Sequence, residues 1–298
     1  MEGRAVAPMR WIRIPYRATW RLVMVDEGLE LSGYIAFTAF LSLFPFLIFL
    51  AALAGFLGDR ETADAFIDAM FEFMPADVAE TLAPAVREVI GARQGGLLTF
   101  GILATLWFAS NGFEALRTGL NRAYGVAEQR AMWWLRLQSV AFVIGGGLII
   151  LFLSLVVILG PLVWTVLGPT IDRVLETRLV FGTARYVVAG VLLFGALTLL
   201  HRWLPNTRQA FARILPGVGV TTVLWLIGAS LFAWYVGNLA DYAVYYGSLG
   251  GVAITLVFFY ISAIIFIFGA EINAVWREQT GRRDAPQKVN GEDEDAEG

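Results

Sequence analysis

The chain is predicted to be an all-α, polytopic membrane protein: six transmembrane helices with short amphipathic helices outside the membrane. Three observations carry this reading. Hydrophobic residues make up 58% of the 298 positions and charged residues 16%, with a mean hydropathy of +0.67. A soluble domain of this length needs far more polar surface. Apolar stretches recur at Tyr34–Leu57, Leu97–Phe113, Gln138–Leu159, Tyr186–Leu200, Ile214–Val236 and Val252–Ala270. Most approach the ~20 residues that a helix needs to cross a ~30 Å hydrocarbon core. Finally, sixteen of the 22 basic residues fall in alternate connections, on one side of the predicted membrane.

Those sixteen are Arg4, Arg10, Arg13, Arg17 and Arg21 before the first span, and Arg117, Arg122, Arg130 and Arg136 between the second and third. Arg202, Arg208 and Arg213 lie between the fourth and fifth, and Arg277, Arg282, Arg283 and Lys288 follow the last. The positive-inside rule makes this side cytoplasmic, with both termini on it. The net charge of −3 does not enter, because topology follows where Lys and Arg fall. The absence of cysteine excludes disulfides, thiolate metal sites and a cysteine nucleophile. The first apolar run begins beyond residue 30 without a small-residue cleavage pattern, which reads as a retained span and not a signal peptide.

Three regions follow: a cytoplasmic N-terminal interfacial segment (1–33), a six-span membrane domain (34–276) with external amphipathic helices at 59–94, and a disordered cytoplasmic tail (277–298). In the first, Trp11–Val25 mixes Arg13, Arg17 and Arg21 with Trp11, Trp20, Val23 and Met24. Such a segment can rest in the interface, rings among headgroups and guanidiniums on anionic lipid, or serve only as an orientation signal. Span one contains Pro45, a candidate helix kink that buried neighbours tolerate.

In the 59–94 connection, Phe66, Ile67, Met70, Phe71 and Met74 recur with helical spacing up to Pro75, and a weaker pattern follows around Pro84. Eight acids against three arginines give it a solvated acidic face. Span three carries Gly145, Gly146 and Gly147, which permit close backbone approach in lipid. "LPGVG" (Leu215–Gly219) and "YYGSLGG" (Tyr245–Gly251) read as turn and helix-start chemistry around spans five and six. From Asp284 the chain is polar and acidic.

Enzymatic chemistry finds little support. His201 is the one histidine, so neither a His-rich metal cluster nor a multi-histidine nuclease site can be built. No Walker A loop, dinucleotide fingerprint or GxSxG elbow is present. The basic residues flank spans and carry no separate nucleic-acid signal. No catalytic residue, metal or cofactor is expected.

What remains are polar groups at span ends. Glu114 follows "FASNGF", beside Ser110 and Asn111. Glu271 follows "FIFGA", with Asn273 two residues on. Carboxylates at that depth face the bundle interior and seek partners. Arg117, Arg202 and Asn111 are the expected ones. Two readings stay open: interfacial ion pairs that hold helix ends together, or the lining of a functional cavity. His201 reads as a packed or headgroup-level histidine more readily than as a proton carrier.

In order along the chain, "AFTAFLSLFPFLIFLAALAG", "GFEALRTGLNRAYGV", "HRWLPN", "LPGVG", "YGSLGG" and "GAEINAVW" resemble the YihY/BrkB family of bacterial inner-membrane proteins. The resemblance covers about Tyr34 to Trp276. It implies six helices, cytoplasmic termini, an inner-membrane location and a role in the cell envelope, for which lipid transport has been suggested. An old family label, ribonuclease BN, conflicts with the histidine argument. The expected function is therefore a transporter or lipid-handling protein with an interhelical cavity, its partners being membrane lipids and not nucleic acid. The alternative is a non-transporting scaffold that recruits envelope proteins or a second copy through its acidic outer helices.

Overall fold

A computed structural model describes residues 7–57, 103–171, 177–207, 209–238 and 248–284. Among these, every regular element is helical. α1 is Ala7–Trp20, followed by a π-helical turn at Arg21–Val25. Then come α2 (Gly28–Leu57), a helical segment at 103–109, α3 (Asn111–Ala123), α4 (Met132–Ile171), α5 (Thr177–Trp203), α6 (Phe211–Asn238) and α7 (Ser248–Asp284).

Among the described residues, four helices are long and apolar enough to cross a membrane: Gly28–Leu50, Met132–Leu151, Phe211–Tyr235 and Gly250–Thr280. Gly190–Trp203 forms a shorter apolar helix. Much of their surface carries exposed aliphatics, such as Leu148, Ile149, Val191, Val223, Ile227 and Leu231. A surface of this kind matches lipid as solvent rather than water. The expected amphipathic helices at 59–94 and the stretch beyond Asp284 lie outside the described residues.

Helix boundaries differ from the apolar runs where local chemistry extends the helix. α2 starts at Gly28, ahead of Tyr34, because Glu27 breaks the preceding turn at a φ of 53° and the Ser32 hydroxyl donates back to the Gly28 carbonyl at 2.6 Å. Gly28 itself admits no side chain, since a Cβ there would collide with Leu22. The expected second span runs on: after a turn at Ser110 the chain is helical again through α3. α7 continues through Asp284, so the tail boundary placed at residue 277 falls inside a helix. Past residue 277 the helix is tied down by Glu278, which pairs with Arg17 and Arg21, and by Arg277, which donates to the Tyr124 carbonyl. Pro45 sits inside the continuous helix α2, and its missing amide leaves the Leu41 carbonyl without the usual helical donor.

α7 is the central element, packed on α6, α2, α1 and α3, while α5 packs on α6 and α4 lies against α3 and α2. The α6–α7 contact is made at backbone distance. A Cβ on Gly217 would overlap the Gly269 carbonyl and the Asn273 amide, and one on Gly269 would overlap the Thr221 hydroxyl. Of the three consecutive glycines in α4, only Gly147 fulfils the expected close approach, against Phe49, Leu50 and Leu53. Gly145 and Gly146 meet no neighbour among the described residues. The core joins Leu120, Ala123 and Tyr124 of the α3 end to Leu197, Leu204, Val218, Ile267 and Ala270.

Candidate functional site

The arginine-rich end of the bundle holds three polar networks, each built from side chains that apolar helices carry to their ends. The deepest centres on Arg21, in the π-helical turn. Its Nε lies 2.9 Å from Glu271 Oε2 and donates a hydrogen bond to Asp26 Oδ2 at 3.3 Å. Nη1 meets Glu278 Oε1 at 2.6 Å, and Nη2 donates to the Ala123 carbonyl at 3.1 Å. Glu271 is wholly buried. Burial opposes the charge on Arg21, but Glu271, Asp26 and Glu278 outweigh it and raise the guanidinium pKa above its ordinary value. One cation therefore joins the turn, the end of α3 and two positions of α7.

Asn273, also buried, sits two residues further along α7 and faces α6. Its Oδ1 accepts from the Gly217 amide at 2.7 Å, and its Nδ2 donates to the Tyr124 hydroxyl at 3.3 Å. Gly217 lies inside α6, directly after Pro216, with its amide reached from α7. The absent side chain lets Asn273 reach it. Burial pushes the Tyr124 phenol up, so it stays neutral. Arg277 closes this corner by donating to the Tyr124 carbonyl at 3.0 Å.

The second network centres on Arg136 at the start of α4. Nη1 donates to Asn111 Oδ1 at 2.8 Å and Ser110 Oγ at 2.7 Å, and Nε pairs with Glu114 Oε1 at 3.1 Å. The guanidinium carbon lies 3.8 Å from the centre of the Trp107 ring, within cation–π range. Glu114 is partly exposed here, unlike Glu271.

The third network ties α3, α4 and the α5 end. Arg117 is buried and donates through Nη2 to the Leu135 carbonyl, Gln138 and Ser139. Burial and the nearby Arg130 charge lower its pKa. Arg130 pairs with Glu128 at 2.7 Å and donates to the Leu204 carbonyl at 2.9 Å. Asn121 donates to Glu128 at 3.0 Å and accepts from the Asn206 amide at 2.8 Å. The hydrogen bonds of Arg130 hold the Glu128 carboxyl down to about 2. In this way "HRWLPN" and "GLNRAYGV" are two halves of one clamp.

The expected partners were therefore redistributed. Glu114 and Glu271 occupy separate networks, and their cations are Arg136 and Arg21. Arg117 serves carbonyls and hydroxyls across α4, and Arg202 lies 5.2 Å from the Phe211 ring. Of the three expected partners, Asn111 alone meets Glu114 through a common residue, Arg136. His201 is wholly buried, with Nδ1 2.9 Å from the Leu197 carbonyl and its ring edge-on to Phe266 at 4.9 Å. That is a packed position.

Nothing in the sequence sets Arg21 apart, because the positive-inside rule accounts for every arginine in its run equally. Beside the first network a groove of about 380 Å³ is lined by Asp26, Glu27, Glu30, Leu31, Tyr34, Thr118 and Arg122. Among the described residues, no three His, Asp or Glu side chains converge as metal ligands. The chemistry on hand is that of fixed charges and a polar groove.

Residues 19–293 match the family model described as "Virulence factor BrkB". Over 259 residues the chain is 34% identical to the ribonuclease-like protein YfkH of Bacillus subtilis strain 168, covering 84% of this chain and 90% of that one. It is 26% identical to a UPF0761 membrane protein of Alkalilimnicola ehrlichii, covering 83% of this chain and 54% of that protein, about half its length. Identity to UPF0761 membrane protein PSHAa0171 of Pseudoalteromonas translucida is 25%, with 84% and 82% covered. No solved structure matches.

Proposed function

The chain belongs to the virulence factor BrkB family of integral membrane proteins, and from that premise we propose that it handles lipid or another membrane-borne solute. In this reading it has six spans, with both termini and the arginine-rich end in the cytoplasm of a bacterial inner membrane. The observation that supports it best is the groove beside Arg21. Asp26, Glu27, Glu30 and Arg122 line it together with Tyr34, which begins an exposed stripe that continues through Phe37 and Leu41 of α2. A headgroup in the groove would leave its acyl chains along that stripe. The groove is then the polar mouth, and the Arg21 and Arg136 networks hold its helices in place. The scaffold alternative rests on 59–94, outside the described residues, and no observation favours it.

Reconstituted vesicles test the reading. Purified protein should speed the transbilayer movement of a fluorescent phospholipid above that in protein-free vesicles. Thr118→Trp, which fills the groove, should slow it. Movement equal to that in protein-free vesicles at every protein density would defeat the lipid reading and leave the scaffold.

The ribonuclease-like wording belongs to the Bacillus relative. For this chain we propose no ribonuclease activity, because a lone, packed His201 supplies neither a metal cluster nor an acid–base pair. RNA cleavage by purified protein that disappears in His201→Ala or Glu114→Ala would overturn this.

A further inference from the structure

The N-terminal arm, α1 with the π-helical turn behind it, has two unlike sides. On one side Ile14 and Ala18 are buried against Ile272 and Val275, and Leu22 enters the core. Arg17 and Arg21 turn the same way, onto Glu278 at 3.0 Å and onto Glu271, Asp26 and Glu278. The other side carries a large exposed apolar surface: Tyr16 is 69% exposed, Trp20 53% and Met24 64%, with Val23 and Val25 beside them and the exposed Arg13 and Thr19 at its margins. Tyr16, Trp20 and Met24 recur every four residues, the spacing that lines one side of a helix.

Position says what meets this face. Only Asp26 and Glu27 separate the turn from α2, and two residues of chain reach about 7 Å at most. α2 is long and apolar enough to cross the bilayer, and Leu29, Tyr34, Phe37 and Leu41 carry the exposed apolar surface onward along it. A turn tethered so closely to a spanning helix lies at the membrane surface. Aromatic and aliphatic side chains exposed there gain free energy by entering lipid.

We propose that this arm lies flat in the headgroup–acyl boundary of the leaflet at the arginine-rich end, with Tyr16, Trp20, Val23 and Met24 in the lipid. Arg17 and Arg21 do not hold it to anionic headgroups; they fasten it to α7 from the opposite side. The bilayer anchors the arm by apolar burial, about 5–10 Å deep for a helix of this kind. The arm in turn is ion-paired to Glu271 and Glu278, so lipid packing in that leaflet bears directly on α7. This stands apart from the transport reading, since an arm in the interface is equally compatible with a scaffold.

The cysteine-free chain makes the test direct. Tyr16→Cys, Trp20→Cys and Met24→Cys, each at an exposed position, are spin-labelled in the full chain and reconstituted in phosphatidylcholine–phosphatidylglycerol vesicles. Gln129→Cys is the water-facing reference. The three arm labels should collide several-fold more often with oxygen than with a water-soluble nickel chelate, and the reference label should show the reverse. Arm labels as open to the chelate as the reference would overturn the proposal. So would labels shielded from both relaxants, because that outcome places a protein partner or a second copy on this face.

Discussion

The guanidinium of Arg21 sits 2.9 Å from the carboxylate of Glu271, a side chain with no exposed surface. A buried carboxylate without its cation is costly, whereas the cation here keeps two further carboxylates, Asp26 and Glu278. The pair is therefore asymmetric. Arg21→Met should destabilise the protein by about 3–5 kcal/mol, the range for one partner of a buried pair left alone. Glu271→Gln should cost clearly less, and the double variant should recover part of the Arg21→Met loss. Thermal unfolding in detergent of the three variants reads this directly. Equal losses that simply add would show that the two groups are not coupled.

Glu114 and Arg136 form the contrasting pair, with 32% and 21% of their side chains exposed. Solvent screening limits such a pair to about 1 kcal/mol. Glu114→Gln should leave folding nearly unchanged, because Arg136 retains Asn111, Ser110 and the Trp107 ring. A lipid-movement assay on this well-folded variant then separates the two meanings left open for the residue. Loss of movement at full stability identifies a pathway charge, and residual movement in proportion to folded protein identifies a structural tie.

Glycine substitutions should divide sharply. Gly217→Ala and Gly269→Ala place a methyl into the α6–α7 backbone contact and should lower the yield of folded protein. Gly145→Ala and Gly146→Ala meet no neighbour among the described residues and lie in a helix, where alanine is favoured by about 0.5–1 kcal/mol. Their melting temperatures should rise or stay level. A destabilised Gly145→Ala would mean that another helix or a second copy covers that face.

Acid should loosen the third network first at Glu128. Its carboxyl is held down to about 2 from an ordinary value of 4.5, chiefly by the Arg130 hydrogen bond. A depressed carboxyl pKa adds stability that is complete above the ordinary value and fades as pH falls through it toward the folded one. The melting temperature should therefore drop as pH is lowered from about 6 to about 3, and Glu128→Gln should flatten the part due to this clamp. An unchanged profile in Glu128→Gln would remove Glu128 from the account.

Much of the fold was legible because a lipid solvent demands long apolar helices, and these stand out in any hydropathy pattern. The all-helical class and the spans that α2, α4, α6 and α7 embody could be read from Tyr34–Leu57, Gln138–Leu159, Ile214–Val236 and Val252–Ala270. Helix ends were less legible. Tertiary contacts decide them, as the pairing of Glu278 with Arg17 and Arg21 does for the extension of α7. The site was legible in kind but not in pairing. A carboxylate closing an apolar helix signals a need for a cation, which marked Glu114 and Glu271, yet comparable depth at the predicted cytoplasmic end pointed to Arg117 and Arg202. The partners actually used, Arg136 and Arg21, are brought in by α4 and by a π-helical turn that no periodicity announces. Gly145 and Gly146 show the converse: a run of small residues permits close packing but does not say which member meets a neighbour.

In the proposed topology the arginine-rich end of the bundle, with its groove and networks, faces the cytoplasm of an inner membrane. Single cysteines in this cysteine-free chain test it most directly: Glu72→Cys in the connection predicted to be external, and Arg208→Cys in the predicted cytoplasmic one. An impermeant thiol reagent applied to intact cells should label Glu72→Cys, and should reach Arg208→Cys only after the membrane is opened. Labelling of Arg208→Cys but not Glu72→Cys from outside intact cells would contradict the account.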